Sequence, residues 1–123
     1  MSSRLKISKK TSEQLNHLSS RLNLRRNIVC RLAIGRSLSK KESVKNLKPK
    51  DNTGYEFNRY TLTGEYDEIF KALINQHERK KLSDRNYITF LRNHIERGIN
   101  ILYKEYQRIN SPIDFFSELV KSK

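Results

Sequence analysis

A chain of 123 residues with 35% apolar content and a formal charge of +13 is the size of one domain, but has little apolar material for a thick core of its own. Met1–Lys10 has no apolar h-region and no apolar run approaches membrane-spanning length, so neither a signal peptide nor a transmembrane helix is expected. The charge is uneven: residues 1–50 hold 14 Lys/Arg against Glu13 and Glu42, whereas residues 51–123 hold 12 Lys/Arg against 11 Asp/Glu. A front half of +12 calls for a polyanionic partner, with nucleic acid ahead of an acidic protein. A membrane surface fits less well, because the basic helices lack a bulky aromatic face.

In chain order, Arg4-Leu5-Lys6-Ile7-Ser8 alternates with period two and predicts a short strand, Leu5 and Ile7 inward, Arg4 and Lys6 outward. No other stretch has comparable strand character beside a hairpin turn. The expected partner is therefore the same strand of a second subunit, giving a two-stranded ribbon of the width that enters the major groove of duplex DNA.

Ser8 is the expected N-cap of a first helix whose stripe is Leu15, Leu18 and Leu22. Lys9 and Lys10 in its first turn oppose the helix dipole, a conflict that a bound phosphate would relieve. Asn23, tolerant of the left-handed conformation, ends it. Ile28, Val29, Leu32 and Ala33 mark a second helix that starts at Arg25, Arg26 and Asn27, the strongest candidate for phosphate contact read from the residues alone. Arg31 and Arg36 are expected on an exposed helix face. Cys30 reads as core packing, and a single cysteine, unable to form an intrachain disulfide, fits a reducing cytoplasm. Strand, helix, turn and helix outline a ribbon-helix-helix-like unit over residues 1–38, within a mainly α fold with one N-terminal strand and a helical C-terminal extension.

Residues 39–54, with five lysines, Pro49 and Asp51-Asn52-Thr53-Gly54, read as a basic linker. Residues 55–123 then form the remainder, one compact body with the front half. Tyr55, Phe57, Tyr60 and Leu62 predict a packed loop or short irregular strand. A helix follows with Tyr66, Ile69, Phe70, Leu73, Ile74 and His77 on one face. Glu65, Asp67 and Glu68 suit its N-terminus better than a magnesium site, since no paired acid or lysine at informative spacing accompanies them. Ser83 or Asp84 caps the longest helix, about 84 to 108, with Tyr87, Ile88, Leu91, Ile95, Ile99, Leu102, Tyr106 and Ile109 in its stripe. Gly98 within that stripe implies close approach of another backbone. Ser111 and Pro112 start a last helix, docked by Ile113, Phe116, Leu119 and Val120.

Catalytic signals are sparse. His17, His77 and His94 are far apart in sequence and none sits with cysteine at a metal spacing, so no metal site is expected. The four glycines are scattered, with no phosphate loop. No nucleophile constellation can be assembled. The residues favour a binding protein that uses no cofactor over an enzyme.

Glu56-Phe57-Asn58-Arg59-Tyr60-Thr61-Leu62 followed by Gly64-Glu65 resembles a signature of the DndE family of DNA phosphorothioation proteins. His94-Ile95-Glu96-Arg97-Gly98 resembles its second signature, and Ile28–Ala33 its second helix, so the resemblance spans roughly residues 5 to 102. The family's turn usually reads Gly-Leu followed by small or proline residues. Here it is Asn23-Leu24-Arg25-Arg26, which changes the helix entry and adds charge. The resemblance implies an accessory protein of the system that replaces a non-bridging phosphate oxygen of DNA with sulfur. It implies a ribbon-helix-helix-like binder of double-stranded DNA, a homo-oligomer with a tetramer favoured, beside subunits that supply sulfur transfer and ATP hydrolysis. Binding at nicked duplex has been proposed for the family. The alternative from the front half alone is a ribbon-helix-helix transcriptional repressor. The expected DNA-facing residues are Arg4, Lys6, Lys9, Lys10, Arg25, Arg26 and Asn27, forming one basic surface.

Overall fold

The computed structural model describes residues 3–109 and 112–121. Two short strands, β1 (Arg4–Lys6) and β2 (Glu56–Asn58), join six α-helices: α1 (Lys9–Leu22), α2 (Arg26–Leu38), α3 (Arg59–Thr63), α4 (Asp67–Glu78), α5 (Asp84–Gln107) and α6 (Pro112–Lys121). A 3₁₀ turn over Gly64–Tyr66 links α3 to α4. The fold is mainly α, as the sequence predicts.

The strand partner is a correction. β1 pairs antiparallel with β2 of the same chain, Leu5 opposite Phe57, Arg4 opposite Asn58 and Lys6 opposite Glu56. The ladder is extended by Ile7 N–H donating to the Tyr55 carbonyl and Gly54 N–H donating to the Ile7 carbonyl. Residues 39–55 make the return path possible. They contain no regular helix or strand, yet Val44 is buried and its carbonyl accepts from Asn93 Nδ2. β1 thus finds a strand partner along one edge without a second subunit.

Local capping follows the sequence. Ser8 Oγ accepts from Thr11 N–H, Ser83 Oγ accepts from Asn86 N–H, and Asn23 is left-handed at φ 56 with its N–H donating to the Ser19 carbonyl. The core is α2 crossed over α5, with α1 alongside. Leu15, Leu18, Val29, Cys30, Ala33, Ile34, Leu91, Ile95, Ile99 and Leu102 are all fully buried. Burial drives the Cys30 thiol up to about 12, against a smaller lowering by Arg26, so it is protonated core packing.

Two helices sit in a different phase from the one expected. On α4, Ile74 is buried and Phe70 and His77 are half-buried as expected, but Ile69 and Leu73, with Tyr66 just before the helix, are exposed. On α6, Phe115 is the fully buried anchor, edge-on to Tyr106, while Phe116 and Val120 point outward. Leu119 does pack against the core. Asn110 and Ser111 lie outside the described residues, as does the side chain of Ile113. The expected shared arginine face is also absent: Arg31 donates to the Leu62 carbonyl at 2.8 Å, and Arg36 makes a part-buried ion pair with Glu105 at 2.6 Å.

Candidate nucleic-acid interface

The two helix starts, alike in sequence, differ in structure. At α1 the expected phosphate position is taken by the chain's own acids. Glu96, from the middle of α5, accepts from Ser8 N–H at 2.6 Å, from Ser8 Oγ at 3.0 Å and from Thr11 Oγ1 at 2.7 Å. Asp51 accepts from Lys9 N–H at 2.9 Å, and that bond, with two from Thr53, holds its carboxyl below the usual range. The dipole of α1 is answered internally, and the side chains of Lys9 and Lys10 remain exposed.

At α2 no side chain caps the first turn. Arg25 occupies the cap position, and its side chain can only donate. Arg25 and Arg26 are both exposed at this start. The Arg26 guanidinium stacks over the Tyr55 ring, 4.2 Å from the centroid, which fixes its direction. Asn27 is half-buried and reaches the Thr61 carbonyl at 3.4 Å. The Arg26 and Asn27 N–H groups and two guanidinium groups meet here without an acid in the first turn, Ile28 N–H being given to the Arg25 carbonyl.

The ribbon carries a separate group. Arg4 and Lys6 are exposed, and Arg4 pairs with Glu56 at 2.8 Å. Together with Arg92, Ile88 and Thr89 of α5 they line a depression of about 320 Å³. Tyr55 and Phe57 alternate to the face opposite Glu56 and Asn58. Arg26 on Tyr55 and Arg4 on Glu56 therefore lie on opposite faces of the ribbon, which corrects the expectation of one basic surface. Lys10 forms a third group with Lys48 and Lys50 around a pocket of about 300 Å³. Sequence reasoning misses Arg92; its signal is Arg85 at i−7 on the same helix face, overshadowed by the apolar stripe.

A family model for DndE, DNA sulphur modification protein, matches residues 4–110. The chain belongs to the DndE family. The crystal structure of DndE from Escherichia coli B7A, involved in DNA phosphorothioation modification, is similar with a TM-score of 0.69 at 24% identity, covering 83% of this chain and 97% of that one. A crystal structure of a glycine-to-lysine mutant of DndE involved in DNA phosphorothioation is similar with a TM-score of 0.64 at 25% identity, covering 85% and 99%. No curated protein matches the chain.

The residues that carry the DndE resemblance have structural partners. Arg59 is buried in a bidentate pair with Asp67, 2.8 Å at its shortest, over the Tyr87 ring of α5. Asp67 thus serves Arg59 more than the α4 terminus. In the second signature, His94 is hydrogen-bonded to Ser37 at 2.8 Å, and burial with Arg97 nearby pushes its pKa down to about 3. Glu96 closes the α1 start. Arg97 donates to Ser37 Oγ, to the Ser37 carbonyl and to the Glu42 carbonyl, tying the end of α2 to α5. Gly98 admits the backbone of Ala33.

Proposed function

We propose that this DndE-family chain is a DNA-binding accessory subunit of a phosphorothioation complex, holding duplex DNA mainly through its phosphates. The observation that supports this best is the start of α2, an uncapped first turn flanked by exposed Arg25 and Arg26, in a chain of a DNA-modification family. A phosphate there accepts first-turn N–H groups of α2 and is clamped by Arg25, while Asn27 and the stacked Arg26 fix the local geometry. Arg4 and Lys6, with Arg92, and Lys9 and Lys10, with Lys48 and Lys50, extend the interaction along the backbone. Phosphate contacts of this kind position a protein without reading sequence. In this reading residues 1–38 face DNA, and residues 55–123 form the scaffold joined to them through residues 39–54.

The chain works as a homo-oligomer, with a tetramer proposed, and beside catalytic subunits, contributing no turnover of its own. Two sequence arguments for self-association are met inside the chain, since β1 has its partner in β2 and Gly98 has its partner in Ala33. Support comes instead from the exposed Tyr66, Ile69 and Leu73. Among the described residues no helix is long and apolar enough to cross a membrane; the cytoplasmic site of action proposed here rests on the DNA-modification family. The repressor alternative is supported less, because the ribbon is built within one chain rather than between two subunits.

The test is binding to intact and nicked duplexes of unrelated sequence, together with co-purification with sulfur-transfer subunits. Sequence-tolerant binding and a stable complex are expected, with nicked duplex bound at least as tightly as intact. Protection of a single operator sequence would instead establish the repressor reading.

A further inference from the structure

We propose that His77, Glu78 and His94 form a site for one divalent transition-metal ion of the zinc class, placed outside the DNA-facing groups. One ligand atom of each lies within 4.8 Å of the other two. α4 ends in His77 and Glu78, and α5 brings His94 beside them, the two imidazole rings edge to face with centroids 5.1 Å apart. Two of the three histidines read as far apart, His77 and His94, thus meet, while His17 lies against Tyr103 and Tyr106.

At His77 the hydrogen bonds fix the roles of the ring nitrogens. His77 Nε2 is 2.6 Å from the Lys40 carbonyl, which can only accept, so Nε2 carries a hydrogen. In a neutral ring Nδ1 is then a lone pair, yet it stands 3.2 Å from Glu78 Oε2, an acceptor when ionised. Two acceptors at that separation need a cation. The spacing is close to the ligand–ligand edge of about 3.3 Å implied by tetrahedral zinc bonds of about 2.0–2.1 Å. His94 supplies an independent observation. It is fully buried, its Nδ1 is 2.8 Å from Ser37 Oγ, and its Nε2 has no hydrogen-bond partner; in the metal-binding tautomer Nδ1–H donates to Ser37 Oγ and Nε2 is the free lone pair. Buried ring nitrogens are rarely left so.

The supporting interactions are those of a metal site. A backbone carbonyl orients His77, a hydroxyl orients His94, and Ser43 Oγ donates to Glu78 Oε1. His77 also lines a shallow depression of about 190 Å³ with Leu38, Leu73 and Gln76, so the cluster adjoins the surface. Two imidazoles and one carboxylate suit zinc over magnesium, with water as a fourth ligand. The ion would tie the end of α4 to α5.

The experiment uses the untagged full-length chain, stripped with a chelator and titrated with Zn²⁺ and, in parallel, Co²⁺. The expected result is one zinc per chain after desalting, a raised unfolding temperature, and the visible bands of four-coordinate cobalt. Glu78→Gln preserves shape and the Ser43 hydrogen bond, and weakens uptake by more than the roughly tenfold that loss of a ligand's hydrogen-bond partner costs. His17→Gln, outside the cluster, leaves it unchanged. His94→Gln disturbs a core position, so Glu78→Gln and His77→Gln carry the test. No zinc above the desalting blank, or a Glu78→Gln protein that binds like wild type, overturns the proposal and leaves a proton on His77 as the cation.

Discussion

Gly98 meets Ala33 backbone to backbone: a Cβ at Gly98 would stand 1.9 Å from the Ala33 carbonyl oxygen. That approach sets how closely α2 and α5 cross, and so the position of the Arg25–Arg26 start relative to the body. Backbone cannot rotate away as a side chain can. Gly98→Ala is predicted to lower stability by about 3 kcal/mol, the upper end of ordinary overpacking. Gly35, with nothing within 4 Å of a built Cβ and exposed in mid-helix, gives the opposite sign. Gly35→Ala should stabilise by about 1 kcal/mol. Urea unfolding of both variants checks the pair, and equal midpoints would contradict the packing described.

The Arg59–Asp67 and Arg4–Glu56 pairs have the same length but different surroundings. The first has side chains 6% and 9% exposed, the second 64% and 38%. Asp67→Ala leaves the buried guanidinium with only the half-exposed Asp84, 3.8 Å away, and is predicted to cost about 3 kcal/mol. Glu56→Ala should cost under about 1 kcal/mol. Chemical denaturation distinguishes them, and similar costs would mean that Arg59 finds another partner.

Cys30 gives the protein an alkaline weakness. Its folded pKa is raised from 9.0 to about 12, chiefly by burial. Below pH 9 both states keep the proton and stability is complete. Above it the unfolded thiol ionises first, so stability falls from pH 9 and goes on falling until the folded group titrates near 12. The total decrease is on the order of 4 kcal/mol. Buried Tyr87, shifted upward by the same cause, adds to it. Thermal unfolding across pH 8–11 should show the slope, and Cys30→Ala should flatten it relative to its own value at pH 8. An unchanged slope in the variant would assign the weakness elsewhere.

What is legible in the sequence is local. The Leu15, Leu18, Leu22 stripe, the Ser8 and Ser83 caps and the Asn23 stop depend on neighbours within one or two turns, and each stands where its residues place it. What is not legible spans the chain. β1 finds β2 some 50 residues away because Tyr55, Phe57 and the bonds of Gly54 and Tyr55 to residue 7 create an edge that three residues of alternation cannot announce. Glu96 reaches the α1 start across a separation of 88 residues, and no periodicity encodes such a pairing. On α6 Leu119 packs as expected but Phe115 takes the place of Phe116, since the two are equally apolar and only packing chooses between them. For the interface, residue type identifies the cations. Which helix start already holds an acid is visible only in the fold.

The most direct test of the DNA-facing assignment is the salt dependence of duplex binding by wild type and by the Arg25→Ala, Arg26→Ala pair, with circular dichroism as the folding control. Alanine favours the helix, so α2 should remain formed. The predicted result is weaker binding to all duplexes and a log–log salt slope shallower by about 0.9 for each phosphate no longer neutralised. A folded variant with unchanged affinity and slope would contradict the account and remove the start of α2 from the interface.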